Sequence, residues 1–124
     1  MAESPDVLTI GEAPYDWLFS QMSAVVHHCG AGTAAAGLRA GIPAVGVPLV
    51  GDQPFWARRL RDLGVSAANV PKYRLNVKKL TKAVDAALTD PTFATNAREL
   101  APSIVAEDGA AAVLTIINEL LASR

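Results

Sequence analysis

A chain of 124 residues with a formal net charge of -1 is expected to hold one domain around one core, with roughly two thirds of its unfolded surface buried on folding. That charge gives no electrostatic reason to bind nucleic acid or an anionic membrane. Cys29 is the only cysteine, which excludes an internal disulfide and points to a reducing, cytoplasmic setting.

Met1 to Asp6 carry Glu3 and Asp6 and no basic residue, unlike the start of a secretory signal. Val7 to Ile10 read as a strand, and Tyr15 to Gln21 as a helix. Ala24 to His27 form the next expected strand, followed by a helix from Thr33 to Ala40. Then come a strand at Ala44 to Val47, a helix at Asp52 to Leu63 and a strand at Val65 to Val70. This alternation predicts a three-layer, Rossmann-like α/β fold on a parallel sheet of about four strands. Gly41 and Gly64 fall just past helices, where a left-handed cap favours glycine. Asp52 is placed to cap the third helix. Asn76 should cap a helix from Val77 to Leu88, with Leu80, Val84 and Leu88 on one face, and Asp90 and Pro91 should end it. A further helical stretch is expected to kink or break at Pro102. Gly109 precedes a final helix to Leu121 whose apolar residues, among them Val113, Ile117 and Leu121, cover a wide arc and call for neighbours. Asn118 and Glu119 interrupt its apolar run, and no stretch is expected to reach membrane-spanning length.

The chemistry concentrates in His27-His28-Cys29-Gly30-Ala31-Gly32-Thr33, between an expected strand and an expected helix. Glycines let a ligand approach the backbone, and a helix start presents free N–H groups at the positive end of its dipole. His28 and Thr33 add side-chain donors. A phosphate site is favoured over a tight turn whose glycines serve packing alone. His27 and His28 are adjacent on a strand, point to opposite faces and do not chelate one metal ion together. The second feature is Gly51-Asp52-Gln53-Pro54, at the carboxyl end of another strand, where open parallel sheets bind ligands. Asp52 and Gln53 suit the vicinal hydroxyls of a sugar, or serve as a helix cap and a surface residue.

From His28 to Leu60 the sequence reads HCGAGTAAAGLRAGIPAVGVPLVGDQPFWARRL. This stretch resembles the donor-binding signature of the family 1 glycosyltransferases, inverting enzymes of the GT-B fold. The likeness is greatest to the sterol glucosyltransferase branch and its bacterial relatives, which also carry a Pro-x-Asp-Trp-Leu-Phe stretch, here Pro14 to Phe19. The resemblance implies that His28 contacts a diphosphate and that Gly30, Gly32 and Thr33 cradle it. It implies that Asp52 and Gln53 hold sugar hydroxyls and that Ala13 meets the nucleobase through its backbone. The implied co-substrate is a nucleotide sugar, UDP-glucose, with no further cofactor. Ala36 stands where the plant-type signature has a ribose-binding glutamate. Glu12 stands in place of its tryptophan, and Trp56 in place of its asparagine.

Residues 1–124 would then form a single donor-binding domain, the C-terminal half of a GT-B enzyme cut short at its N-terminal side. The acceptor-binding domain and its general base would lie in another domain or subunit, and no catalytic residue is assigned here. Two functions follow: the donor half of a hexosyltransferase acting on a hydroxyl acceptor such as a sterol or lipid, inactive alone, or a non-catalytic module that binds a nucleotide or a partner. An uncovered final helix and a free sheet edge would favour a homodimer.

Overall fold

A computed structural model describes residues 4–124. Three short strands, β1 (Val25–His27), β2 (Ala44–Gly46) and β3 (Ser66–Asn69), pair in parallel in the order β1-β2-β3. Val25 lies opposite Ala44 and His27 opposite Gly46, while Val45 and Gly46 pair with Ala68 and Asn69 after a register shift that skips Ala67. The described residues also form six α-helices, α1 (Tyr15–Phe19), α2 (Ala31–Ala40), α3 (Gln53–Asp62), α4 (Val77–Thr89), α5 (Pro91–Ala106) and α6 (Gly109–Ala122), of which the first five pack around the sheet. A 3-10 turn occupies Lys72–Arg74.

Strand residues alternate between the two faces. Val45 points to the layer formed by α4, where it meets Val70, Ala83 and Ala87 with Leu80 and Val84 at the border. Val25 and Ala44 point the other way, onto Phe19, Ala36 and Ala40 of α1 and α2. A third cluster joins Cys29 and Val65 to Ala34, Ala57, Leu60 and Ala97, and so packs α2, α3 and α5 together. The expected three layers are therefore present. Much of this core is alanine, which lets helix and strand backbones lie close. At Gly46 even a methyl group would meet the Asn69 side-chain oxygen at 2.6 Å and the Cys29 sulfur at 2.8 Å.

The sheet has three strands among the described residues, not four. Val7 to Ile10 pair with nothing, and Val7 and Leu8 are 65% and 85% exposed. An apolar run becomes a strand only where a neighbour accepts its backbone hydrogen bonds. Gly41 and Gly64 do adopt left-handed conformations, with φ of 67° and 69°. Asn76 caps α4 by accepting from the Lys79 amide at 2.9 Å. Asp90 ends α4 and also begins α5, accepting from the Thr92 amide at 2.9 Å. That bond holds the Asp90 carboxyl below its usual range.

Pro102 does not break its helix: α5 runs through it without interruption. The break comes at Glu107 and Asp108, where Asp108 caps α6 through the Ala111 amide at 2.9 Å. Every residue of α6 is exposed, so the helix projects from the domain and does not fold back on it. Taken as one run, Pro91–Ala122 (32 residues, peak mean hydropathy 1.6) has the length and composition of a bilayer-crossing helix, which corrects the expectation that no such stretch exists. The interruption at Glu107 leaves α6 with 14 residues, about 21 Å of helix against a hydrocarbon core of ~30 Å.

Candidate functional site

β1 and β2 leave the sheet side by side, joined by a bond from the Val47 amide to the His27 carbonyl at 2.8 Å. The two loops singled out from sequence therefore emerge at one edge, at the carboxyl ends of neighbouring strands. After β1 the chain turns at Cys29, a non-glycine residue with φ 67°. The Cys29 amide donates to Nδ1 of His27 at 2.9 Å, and the thiol is fully buried. Burial pushes the Cys29 thiol up to about 11, which keeps it protonated at neutral pH.

This turn delivers Gly30 as the residue before α2. No side chain caps the helix, and its first internal bond runs from the Ala34 amide to the Gly30 carbonyl at 2.9 Å. The helix begins two residues earlier than sequence suggests, so Gly32 and Thr33 lie within the first turn beside Ala31. The N–H groups of these three residues open the helix toward solvent. The exposed His28 ring folds back across Gly30: a Cβ on Gly30 would lie 2.6 Å from His28 Nε2. Gly32 is different, because a Cβ there would meet nothing within 4 Å. The protein's own packing does not require glycine at that position. His28, Gly30, Gly32 and Thr33 thus converge on one uncapped helix start.

The second loop is held from within. Gly51 takes φ 65°, and Oε1 of Gln53 accepts from the Leu49 and Val50 amides at 2.8 and 3.1 Å. Gln53 is half-buried and clamps its own loop, which leaves its amide NH2 as the group free for a ligand. Asp52 does not cap α3 with its side chain. Pro54 lacks an N–H, and the Phe55 amide is taken by the Asp52 carbonyl at 3.0 Å, so the helix start offers the carboxylate little. Instead Asp52 Oδ2 accepts from the Trp56 indole N–H at 2.9 Å. Ala13 lies elsewhere, lining an open hollow of about 610 Å³ with Ile10, Glu12 and Tyr15. A second hollow of about 500 Å³ lies between α2, α3 and α5, bordered by Ala31, Trp56 and Leu100 among others.

Sequence reasoning missed Cys29 and Trp56 as builders of this edge. Cys29 carried no signal, since a left-handed cysteine is uncommon. Trp56 did carry one: it stands four residues after Asp52, the spacing of side-chain neighbours on a helix.

Glycine in a helix turn normally costs up to about 1 kcal/mol relative to alanine. Because Gly32 has open space above it, Gly32→Ala should stabilise the unliganded protein by roughly 0.5 kcal/mol while weakening binding of any anion that rests on the helix start. Urea unfolding and calorimetric titration of the same variant measure both effects. A second expectation concerns His27. Burial, with a smaller contribution from His28, lowers it from 6.5 to about 4, and its Nε2 finds no partner among the described residues. The unfolded chain therefore takes up a proton below pH 6.5 that the folded form refuses until about pH 4. Stability should be full above that window and fall as the pH drops through it. His27→Gln should flatten the fall in urea midpoint between pH 6.5 and 5, above the range of ordinary carboxylates.

Residues 2–120 match the family described as erythromycin biosynthesis protein CIII-like, C-terminal domain. The chain is 44% identical over 119 residues to an O-mycaminosyltylonolide 6-deoxyallosyltransferase of Streptomyces fradiae, covering 96% of this chain and 28% of that one. It is 43% identical over 116 residues to a sterol 3-beta-glucosyltransferase of Arabidopsis thaliana, covering 94% and 19%. Among solved structures, the spinosyn rhamnosyltransferase SpnG complexed with thymidine diphosphate superposes with a TM-score of 0.80 at 28% identity, over 95% of this chain and 32% of that one. The chain spans less than a third of the length of each of these proteins. The sterol glucosyltransferase resemblance is borne out, and the likeness extends to the 6-deoxyallosyltransferase and the spinosyn rhamnosyltransferase. The chain belongs to the erythromycin biosynthesis protein CIII-like C-terminal domain family of GT-B glycosyltransferases.

Proposed function

We propose that this domain binds the nucleotide-sugar donor of an inverting glycosyltransferase. The diphosphate rests on the start of α2, between His28 and the N–H groups around Gly30, Gly32 and Thr33. Asp52 and Gln53 receive the sugar hydroxyls, and the nucleobase lies against the backbone at Ala13. UDP-glucose is the donor expected from the sterol glucosyltransferase relatives, and a sterol or lipid hydroxyl the expected acceptor. The observation that carries this reading is the uncapped helix start, with open space over Gly32 and the His28 ring across Gly30. Among the described residues no side chain caps this helix start, which suits it to an anion.

Transfer itself needs a base aligned with the acceptor hydroxyl. His27 and His28 are the only imidazoles. His27 is turned inward with Nδ1 engaged, and His28 stands at the phosphate. The base is therefore assigned to an acceptor-binding domain or subunit, and without it the 124 residues are proposed to bind donor but not transfer it. Calorimetric titration with UDP, UDP-glucose and TDP-glucose tests the binding reading and the choice of base. His28→Ala should weaken diphosphate binding about tenfold, the value of one hydrogen bond to a charged group, with little change in the urea midpoint. Unchanged affinity in that variant would remove His28 from the site and the reading with it.

The exposed apolar arc of α6 favours a second element of function, a surface for another protein body. Ile116, Leu120 and Leu121 are 56%, 62% and 60% exposed, more contiguous apolar surface than a free helix carries without consequence. The acceptor-binding half or a second copy of this chain is the proposed cover. For the isolated chain, sedimentation over a concentration series should show a dimer that Leu120→Glu weakens. A constant monomer mass at all concentrations would rule out self-association.

A further inference from the structure

We propose that Trp56 is a positioning residue for the donor sugar, acting through Asp52. The inference rests on the donor-binding reading above and adds a specificity element to it. The indole is held on two sides. It borders the buried cluster of Cys29, Ala34, Ala57 and Leu60, and it meets the Phe55 ring edge-on at 5.0 Å. Its N–H is therefore a fixed donor, and it points at Oδ2 of Asp52 at 2.9 Å. The cluster behind the indole is the one that buries the Cys29 turn, so the carboxylate is referenced to the same packing that places the diphosphate loop.

Asp52 is exposed and sits in helical backbone geometry at the start of α3. Pro54 and the occupied Phe55 amide leave the carboxylate without the usual capping bond. With the Trp56 N–H removed, nothing described in the loop fixes its rotation. With that N–H present, one oxygen is engaged and the other is left as a single oriented acceptor. Across the loop, Gln53 spends its carbonyl on the Leu49 and Val50 amides and presents only its NH2. The loop thus leaves a carboxylate oxygen of Asp52 as an acceptor and the Gln53 NH2 as a donor, groups of the kinds that pair with sugar hydroxyls. A donor that lacks the hydroxyl met by either group leaves that group unpaired, so the loop favours a sugar hydroxylated at the positions it meets.

The test separates sugar recognition from diphosphate binding. The quantity read is the ratio of the UDP and UDP-glucose dissociation constants, for the full chain and for the variants Trp56→Phe, Asp52→Ala and the double change. Phenylalanine keeps a ring against the cluster and removes only the donor. The expected result is an unchanged UDP affinity in Trp56→Phe, a sugar-dependent gain reduced about three- to tenfold, and no further loss when Trp56→Phe is added to Asp52→Ala. If Asp52→Ala loses the gain while Trp56→Phe keeps it, the positioning role is overturned and the donor reading stands. If UDP and UDP-glucose bind alike and Asp52→Ala changes nothing, the sugar assignment of the loop fails and this inference with it. Should Trp56→Phe unfold, the Trp56 indole N–H resonance of the unaltered chain decides. It should move on adding UDP-glucose and not on adding UDP, and an identical response to both ligands overturns the proposal.

Discussion

Cys29 turns the chain left-handed between β1 and α2, at φ 67°, in a region that costs a residue with a side chain roughly 1–2 kcal/mol. Glycine would adopt it without strain, yet glycine would also leave a hole. The thiol is completely buried among Ala34, Ala57 and Leu60, and the strained amide is caught by Nδ1 of His27. The strand beside it must yield room, and Gly46 does so, because a methyl group there would strike the Cys29 sulfur. From this one turn follow the outward aim of α2, the bare N–H groups at its start and the fold of the His28 ring over Gly30. The site is therefore anchored from beneath by apolar packing, and its polar atoms are left free for a ligand.

The parts of the fold that were legible in the sequence are those fixed by local rules. Glycines at 41 and 64 announced left-handed caps, and Asn76 announced the start of α4, because each condition is met within a few residues of chain. The alternation of strands and helices gave the layered α/β arrangement for the same reason. Val7 to Ile10 misled because strand formation depends on a partner, and apolar alternation says nothing about whether one is present. Pro102 misled in the other direction: the residues around it keep α5 helical, and the chain breaks instead where Asp108 captures the Ala111 amide.

In the site, the residue types were legible and their partners were not. His28 and the glycines could be assigned to an anion from their place after a strand. That Gln53 would clamp amides three and four residues before it, and that Asp52 would turn from the helix start to an indole, depends on which donors are already occupied. Pro54 settles much of this by removing one amide. The long-range polar ties were beyond reach from spacing alone. Asn69 donates to the Ala57 carbonyl at 2.7 Å and Asn96 to the Gly64 carbonyl at 3.0 Å. They tie β3 to α3, which carries the Asp52 loop, and α5 to the turn that follows α3.

The two loops solve the same problem by opposite means. The Asp52 loop satisfies its polar atoms internally, so each side chain has one group spent on structure and one left over in a fixed direction. The α2 start does the reverse: it keeps a glycine in a helical turn and leaves three amides without a side-chain cap, both locally unfavourable choices. A diphosphate carries several acceptor oxygens and its own charge, and a concentrated set of free donors suits it. A sugar offers neutral hydroxyls that differ only in position, and these are told apart by a few groups whose orientation is already fixed. An unsatisfied helix start and an over-determined loop on adjacent strands are thus the two halves expected where one ligand has a charged end and a neutral end. The local departures from stability fall at the α2 start, the side proposed above to meet the charged end of the donor.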